Sequence, residues 1–234
     1  LASPSKGARL RYLYMKKAVI FDLDGTLLNT IADIANAVNS ALWENGLPYR
    51  SIDEVRRFVG NGARKLIERC VEDDPSKYDS VMRAFESIYG EDCLNQTRPY
   101  TGVMQLLRRL KEEGYALGVL SNKPDFAVGK ICRHFFGGML DFAVGQKDGV
   151  KVKPDPTLLL KELDAIGADK GATVYVGDGE TDVACAAAAG VAFVGVDWGY
   201  RSEHQLREAG AEKIACCAQE LYRLIAVACG SEEE

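Results

Sequence analysis

The stretch VIFDLDGTLLNT, residues 19–30, decides how this chain is read. The apolar run AVIF, residues 18–21, ends in two aspartates two residues apart, and a glycine follows at once. In an extended strand residues i and i+2 point the same way, so Asp22 and Asp24 present their carboxylates to one spot. Like charges that close repel unless a cation sits between them. The pair therefore calls for a cation.

Working outward, further apolar runs of strand length lie at ALGVL (116–120), FAVG (142–145), TVYVG (173–177) and AFVGV (192–196). Helical patterns separate the later ones: VMQLLRRLKEEG, AVGKICRHF, PTLLLKELDAIG and DVACAAAAG, several closed by a glycine as a C-terminal cap would be. Strand alternating with helix predicts an α/β fold with a Rossmann-like parallel sheet core and helices on both faces. Such sheets bind ligands at the carboxyl ends of their strands.

Residues 30–97 break the alternation. They carry only helical periodicity, in IADIANAVNSALWENG, SIDEVRRFVG, ARKLIERCVED and SKYDSVMRAFESIYGED. The expected organisation is a small inserted α-helical cap over 30–97 and a discontinuous core of 15–29 and 98–234. Hinges are expected near 28–30 and 97–100. Residues 1–14, LASPSKGARLRYLY, lack the apolar stretch of a signal peptide, and MKKAVIFD from Met15 reads as a natural start. They are read as an added leader and set aside. The terminal SEEE reads as a solvated tail.

Composition bounds the partners. The 234 residues are 47% hydrophobic and 27% charged, as in ordinary globular proteins. A net charge of -5 with scattered basic residues gives no footprint for nucleic acid. No run of about 18 apolar residues is present, so no membrane span is expected. The cysteines (Cys70, Cys93, Cys132, Cys185, Cys216, Cys217 and Cys229) are odd in number and form no C-x-x-C pair, which reads as reduced thiols of a cytoplasmic protein. His134 and His204 have no partner at zinc-ligand spacing. Trp43 and Trp198 read as packing residues. The expected state is a monomer or homodimer.

Three polar clusters follow three of the apolar runs: Asp22 and Asp24, then Ser121-Asn122-Lys123, then GDGETD at 177–182. The carboxyl-end rule brings them to one site. Asp178 and Asp182, four apart across a strand-to-helix turn, raise the number of carboxylates there to as many as four. Hard oxygen ligands with room for water suit Mg2+, the cation the opening stretch requires. A carboxylate held ionised by such a cation and a nearby lysine can attack phosphorus and form an aspartyl phosphate. Asp22, at the strand end, is the candidate nucleophile, and Asp24 the candidate general acid and base. The phosphoryl group needs donors, for which Ser121, the backbone N–H groups near Asn122 and Gly25, and a lysine are candidates. Lys147, Lys151 and Lys153 are not separated by residue type alone. Ser121 and Asn122 also fit a helix N-cap before Pro124, which is compatible with anion binding. GDGETD also begins like a dinucleotide-binding turn, but the third glycine is missing.

Taken in order, DLDGT (22–26), the Ser-Asn pair, a lysine before proline and GDGETD resemble the four motifs of the haloacid dehalogenase superfamily. The resemblance runs from Met15 onward and implies a phosphomonoester hydrolase dependent on Mg2+. Carried over by position, it makes Asp22 the nucleophile, Asp24 the acid and base, and Ser121 and Lys153 phosphate holders. Asp178 becomes a magnesium ligand with Asp22 and the Asp24 backbone carbonyl, and Asp182 an outer or alternate ligand. The segment FVGNGARKLIERC (58–70) is similar to the cap of bacterial phosphoglycolate phosphatases, implying 2-phosphoglycolate as substrate. Within this segment, Gly60-Asn61-Gly62 reads either as a plain helix entry with Arg64 and Lys65 solvated, or as a turn facing the core whose N–H groups, or Arg64, meet the far end of the substrate. On the second reading Gly60, Asn61, Gly62 and Arg64 are specificity residues. Asn29 and Gly179 stand where aspartate and serine are common among those relatives. The rival readings are a sugar-phosphate mutase, a pyrophosphatase or nucleotidase on the same core, and a non-catalytic phosphate-binding regulatory protein.

Overall fold

The computed structural model describes residues 16–230. The leader, Met15 and the acidic tail at 231–234 lie outside the described residues. At the centre is β1 (Lys16–Phe21), whose residues 18–21 are all 0% exposed. It is flanked on both edges by parallel partners, β4 (Ala116–Pro124) and β6 (Ala168–Gly177). A strand covered on both faces loses the apolar–polar alternation and reads as a continuous apolar run, as AVIF does. β5 (Phe142–Gln146), β7 (Ala192–Val196) and the two-residue β8 (Ile214–Ala215) complete the order β5-β4-β1-β6-β7-β8, with every pairing parallel.

Alternate residues of β1 serve two different cores. Val19 and Phe21 pack with α5 (Val103–Glu112), α6 (Asp125–Phe136) and α10 (Ala218–Ala228) through Leu107, Ile131 and Ile225. Ala18 and Ile20 face α7 (Thr157–Ile166) and α8 (Glu180–Ala189) through Leu159, Leu163, Cys185 and Ala186. Gly167 and Gly190 end α7 and α8 in the left-handed conformation, as the glycine signals predict. The short α9 (Glu203–Glu208) starts from a Ser202–Gln205 capping box.

The segment between β1 and α5 crosses twice through an antiparallel ribbon, β2 (Leu28–Asn29) with β3 (Arg98–Pro99). Both short strands fall where hinges are expected. Between them lie α1 (Ile31–Glu44), α2 (Ile52–Phe58), α3 (Ala63–Cys70) and α4 (Tyr78–Asp92). Asp33, in the first turn of α1 and 2% exposed, ties the two crossings together. Its carboxylate accepts from Gln96 N, Thr97 N and Thr97 Oγ1 at 2.8 Å each. α2 opens on a capping box, Ser51 with Glu54. Trp198 is partly buried and donates Nε1 to Thr26 O, whereas Trp43 is exposed and does not pack as expected. Among the described residues no helix is long and apolar enough to cross a membrane.

Candidate active site

The carboxyl ends of β1, β4 and β6 meet beneath the turn that joins α2 to α3, around one cleft. Asp22, Asp24, Ser121, Asn122, Asp178 and Asp182 all line it, together with Gly60, Asn61 and Gly62 from the turn above. Strand ends hold their side chains firmly because the strand is fixed on both sides: Asp22 N donates to Val176 O at 2.9 Å.

The two opening aspartates line one cleft but pair differently, and Asp24 is outside the carboxylate group that Asp22 joins. β1 ends at Phe21 and the chain turns, so strand geometry stops short of Asp24. The Asp24 carboxylate accepts from Lys123 Nζ at 2.8 and 2.9 Å and from Thr30 Oγ1 at 2.7 Å. Lys123, with its side chain 3% exposed, also lies 4.6 Å from the centre of the Tyr89 ring of α4. Asp22 instead gathers with Asp178 and Asp182, and one carboxylate oxygen from each lies within 4.8 Å of the others. Lys153 Nζ bridges two of them, at 3.1 Å from Asp22 and 2.7 Å from Asp182. Of the three lysines open in the sequence, Lys153 alone is buried here, while Lys147 and Lys151 sit exposed against Asp125 and Asp155.

Burial makes this cluster electrically unsatisfied. It pushes Asp22 up to about 6, with Asp182 and Asp24 adding to the rise and Lys153 opposing it. It pushes Asp178 up to about 8, helped by the neighbouring Asp22 and Asp182. Among the described residues Asp178 accepts only from neutral donors, Thr26 Oγ1 at 2.9 Å and Tyr200 N at 2.7 Å. For Lys153, burial acts downward, but Asp182 and Asp22 outweigh it and hold the ammonium well above its ordinary value. Three buried carboxylate oxygens in close reach, with one ammonium among them, are a donor set that fits a hard divalent cation.

Several expected site residues do different work from that expected. Gly25 does not line the cleft, and its N–H goes to Leu28 O at 2.9 Å. It is required for another reason: its φ is +81°, and a Cβ there would overlap the Asp178 carboxylate. The Asn122 side chain brackets the backbone of Lys153, accepting from Lys153 N at 2.8 Å and donating to Lys153 O at 3.1 Å. Its amide also reaches Gly60 O at 3.0 Å, so Asn122 places the lysine and holds the overlying turn. Ser121 and Asn122 do not cap α6, because β4 runs on to Pro124, which takes the N-cap position without a side-chain hydrogen bond. Arg64 is not brought into the cleft in this structure: its side chain is 67% exposed and Nη2 lies 3.4 Å from Asp148.

Sequence reasoning passed over Lys123, Thr26, Thr30, Tyr200 and Arg201. Lys123 stands inside the quoted Ser-Asn-Lys cluster. Tyr200 and Arg201 come after the carboxyl end of β7, so the strand-end rule applied to AFVGV points to them. Tyr200 OH bonds Thr30 Oγ1 at 2.9 Å, linking this loop to the support of Asp24.

Comparison with known proteins agrees with this geometry. A phosphoglycolate phosphatase of Mesorhizobium japonicum is 34% identical over 200 residues, covering 80% of this chain and 85% of the relative. One from Haemophilus influenzae is 34% identical over 210 residues, covering 84% and 92%. The crystal structure of a Haemophilus somnus protein predicted to be a phosphoglycolate phosphatase superposes with a TM-score of 0.83 at 30% identity, over 89% of this chain and 97% of that one. The family model for haloacid dehalogenase-like hydrolases matches residues 19–196, from within β1 to the end of β7. The chain belongs to the haloacid dehalogenase-like hydrolases.

Proposed function

We propose that the chain is a phosphomonoester hydrolase of a small metabolite, working through an aspartyl-phosphate on Asp22. The observation that carries this reading is the meeting of Asp22, Asp24, Ser121 and Asp178 in one cleft, with Lys153 beneath them. An Asp22 carboxylate oxygen attacks phosphorus as the bond to the ester oxygen breaks, and Asp24 gives that oxygen its proton. A water then attacks phosphorus, Asp24 takes its proton, and phosphate leaves with the Asp22 carboxylate restored. Lys123 and Thr30 hold Asp24 in orientation, and Ser121 donates to phosphoryl oxygens. Lys153 keeps Asp22 anionic and offsets the charge crowded around it.

Asp22, Asp178 and Asp182 would hold Mg2+, with the Asp24 backbone carbonyl as the further ligand that the family resemblance implies. A bound Mg2+ supplies positive charge that lowers the repulsion between a phosphate dianion and the carboxylates. The first-choice substrate is 2-phosphoglycolate, supported by the similarity to phosphoglycolate phosphatases. The overlying turn suits a second anionic group. Gly62 starts α3 without any side-chain cap, so first-turn N–H groups at the cleft remain for a ligand carboxylate. The parts are those of a core carrying a helical cap, 30–97, that closes over the site and excludes water.

The test is phosphate release from 2-phosphoglycolate, an aryl phosphate and a panel of metabolite esters, with and without Mg2+, in the wild type and Asp22→Asn. Expected is Mg2+-dependent turnover with the highest kcat/KM for 2-phosphoglycolate, lost by at least about a thousandfold in a variant that melts normally. Undiminished turnover by Asp22→Asn sinks the mechanism. Preference for another ester leaves the mechanism and removes the substrate.

A further inference from the structure

Arg201 leaves the loop after β7 with only 12% of its side chain exposed, and it is gripped at both ends. On the core side its Nε lies 3.2 Å from both carboxylate oxygens of Glu180, in the first turn of α8. On the other side Nη1 donates to Arg56 O at 3.1 Å, and Nη2 to Val59 O at 2.7 Å and Arg57 O at 3.4 Å. These carbonyls stand at the C-terminal end of α2, where acceptors run out of helical partners and a cation is favoured. One residue on, Gly60 O is held by Asn122. The turn at 59–62, which lines the cleft, is therefore tied to the sheet from two sides.

We propose that Arg201 is a positioning residue: a latch that seats the 59–62 turn over the cleft and so sets the affinity for a small phosphorylated substrate, without taking part in bond making. A guanidinium suits the task because its five donors lie in a rigid fork that can serve Glu180 and several carbonyls at once. A lysine offers a single point charge on a flexible stem and cannot span them. Only the kinetic arm of the test rests on the hydrolase reading above.

The experiment combines hydrogen–deuterium exchange over residues 55–66 with kinetics on 2-phosphoglycolate and an aryl phosphate, using full-length Arg201→Ala and Arg201→Lys. Loss of charge-assisted bonds should speed amide exchange at 55–62 about tenfold, while peptides from β1 and β6 keep the wild-type rate. KM for 2-phosphoglycolate should rise about tenfold with kcat within about threefold, and lysine should recover little of the loss. Glu180→Ala frees the core end of the same guanidinium, so it should move the same peptides in the same direction. The double variant should add little beyond either single change. Unchanged exchange at 55–62 in Arg201→Ala overturns the latch, as does a fall in kcat with KM unchanged. If Arg201→Ala loosens the whole chain, Glu180→Ala decides, and unaltered exchange at 55–62 there overturns it. If no phosphate ester is turned over, the hydrolase reading fails and the exchange result alone upholds or refutes the latch.

Discussion

Replacing Lys153 by methionine removes the ammonium that Asp22 and Asp182 share. The side chain is 2% exposed, and its nitrogen lies 2.7 Å from Asp182 and 3.1 Å from Asp22. Methionine fills much of the same space but leaves Asp22, Asp178 and Asp182 buried together without a cation. Removing one partner of a buried pair costs about 3–5 kcal/mol, provided the remaining charge is present. Proton binding sets the sign of the pH dependence. Burial raises Asp22 to about 6 and Asp178 to about 8, so the folded chain binds more protons than the unfolded one from about pH 4 up to those values. Stability of the metal-free protein therefore falls as pH rises through that window. Without the ammonium, Asp22 rises further and its share of the fall extends to higher pH. Lys153 itself stays charged in both states below its ordinary value, so it adds no slope of its own there. The penalty of Lys153→Met should be smaller at pH 5, where Asp22 is protonated, than at pH 8, where it should reach about 3–5 kcal/mol. Urea unfolding of metal-free protein at pH 5, 6.5 and 8, monitored by far-ultraviolet circular dichroism, measures it. An equal penalty at all three values would refute the electrostatic reasoning. It would show that Lys153 acts by packing on Tyr175, whose ring centre lies 5.5 Å from the ammonium.

Two further outcomes concern the cation. Gly25→Ala forces a Cβ toward the Asp178 carboxylate at φ +81°, a combination of strain and overpacking worth about 1–3 kcal/mol. Calorimetric Mg2+ affinity should weaken more than tenfold, and an unchanged affinity would remove Asp178 from the ligand set. Because Asp178 is raised to about 8, Mg2+ binding near pH 6.5 should displace a proton. Titrations in buffers of different ionisation enthalpy should give about one proton released at pH 6.5 and fewer above pH 8. A result of no release at either pH would mean that the cation binds elsewhere.

Much of the site can be read from residue order because the strand-end rule needs only the apolar runs and the residues immediately after each of them. Asp22, Ser121 and Asp178 each come directly after such a run and do meet in one cleft. β8 escapes notice because two residues at a sheet edge carry no period. The β2–β3 ribbon is legible as a pair of crossings but not as strands, for the same reason. Gly25 is conspicuous in sequence as a turn, yet its purpose lies 153 positions away, in the space that Asp178 occupies.

Residue order alone is enough for the α/β alternation, the place of the inserted helices and the set of carboxylates at the strand ends. These depend on local periodicity and on the general geometry of parallel sheets, which holds whatever the neighbours are. How the long side chains are shared out is settled only by packing in three dimensions. Packing turns Asp24 to Lys123, gives Lys153 to Asp22 and Asp182, sends Arg64 outward, and brings Arg201 across to the carbonyls of α2. A flexible side chain several bonds long reaches many positions from one Cα. Which it takes depends on charges and carbonyls that packing brings close from segments as many as 145 residues apart.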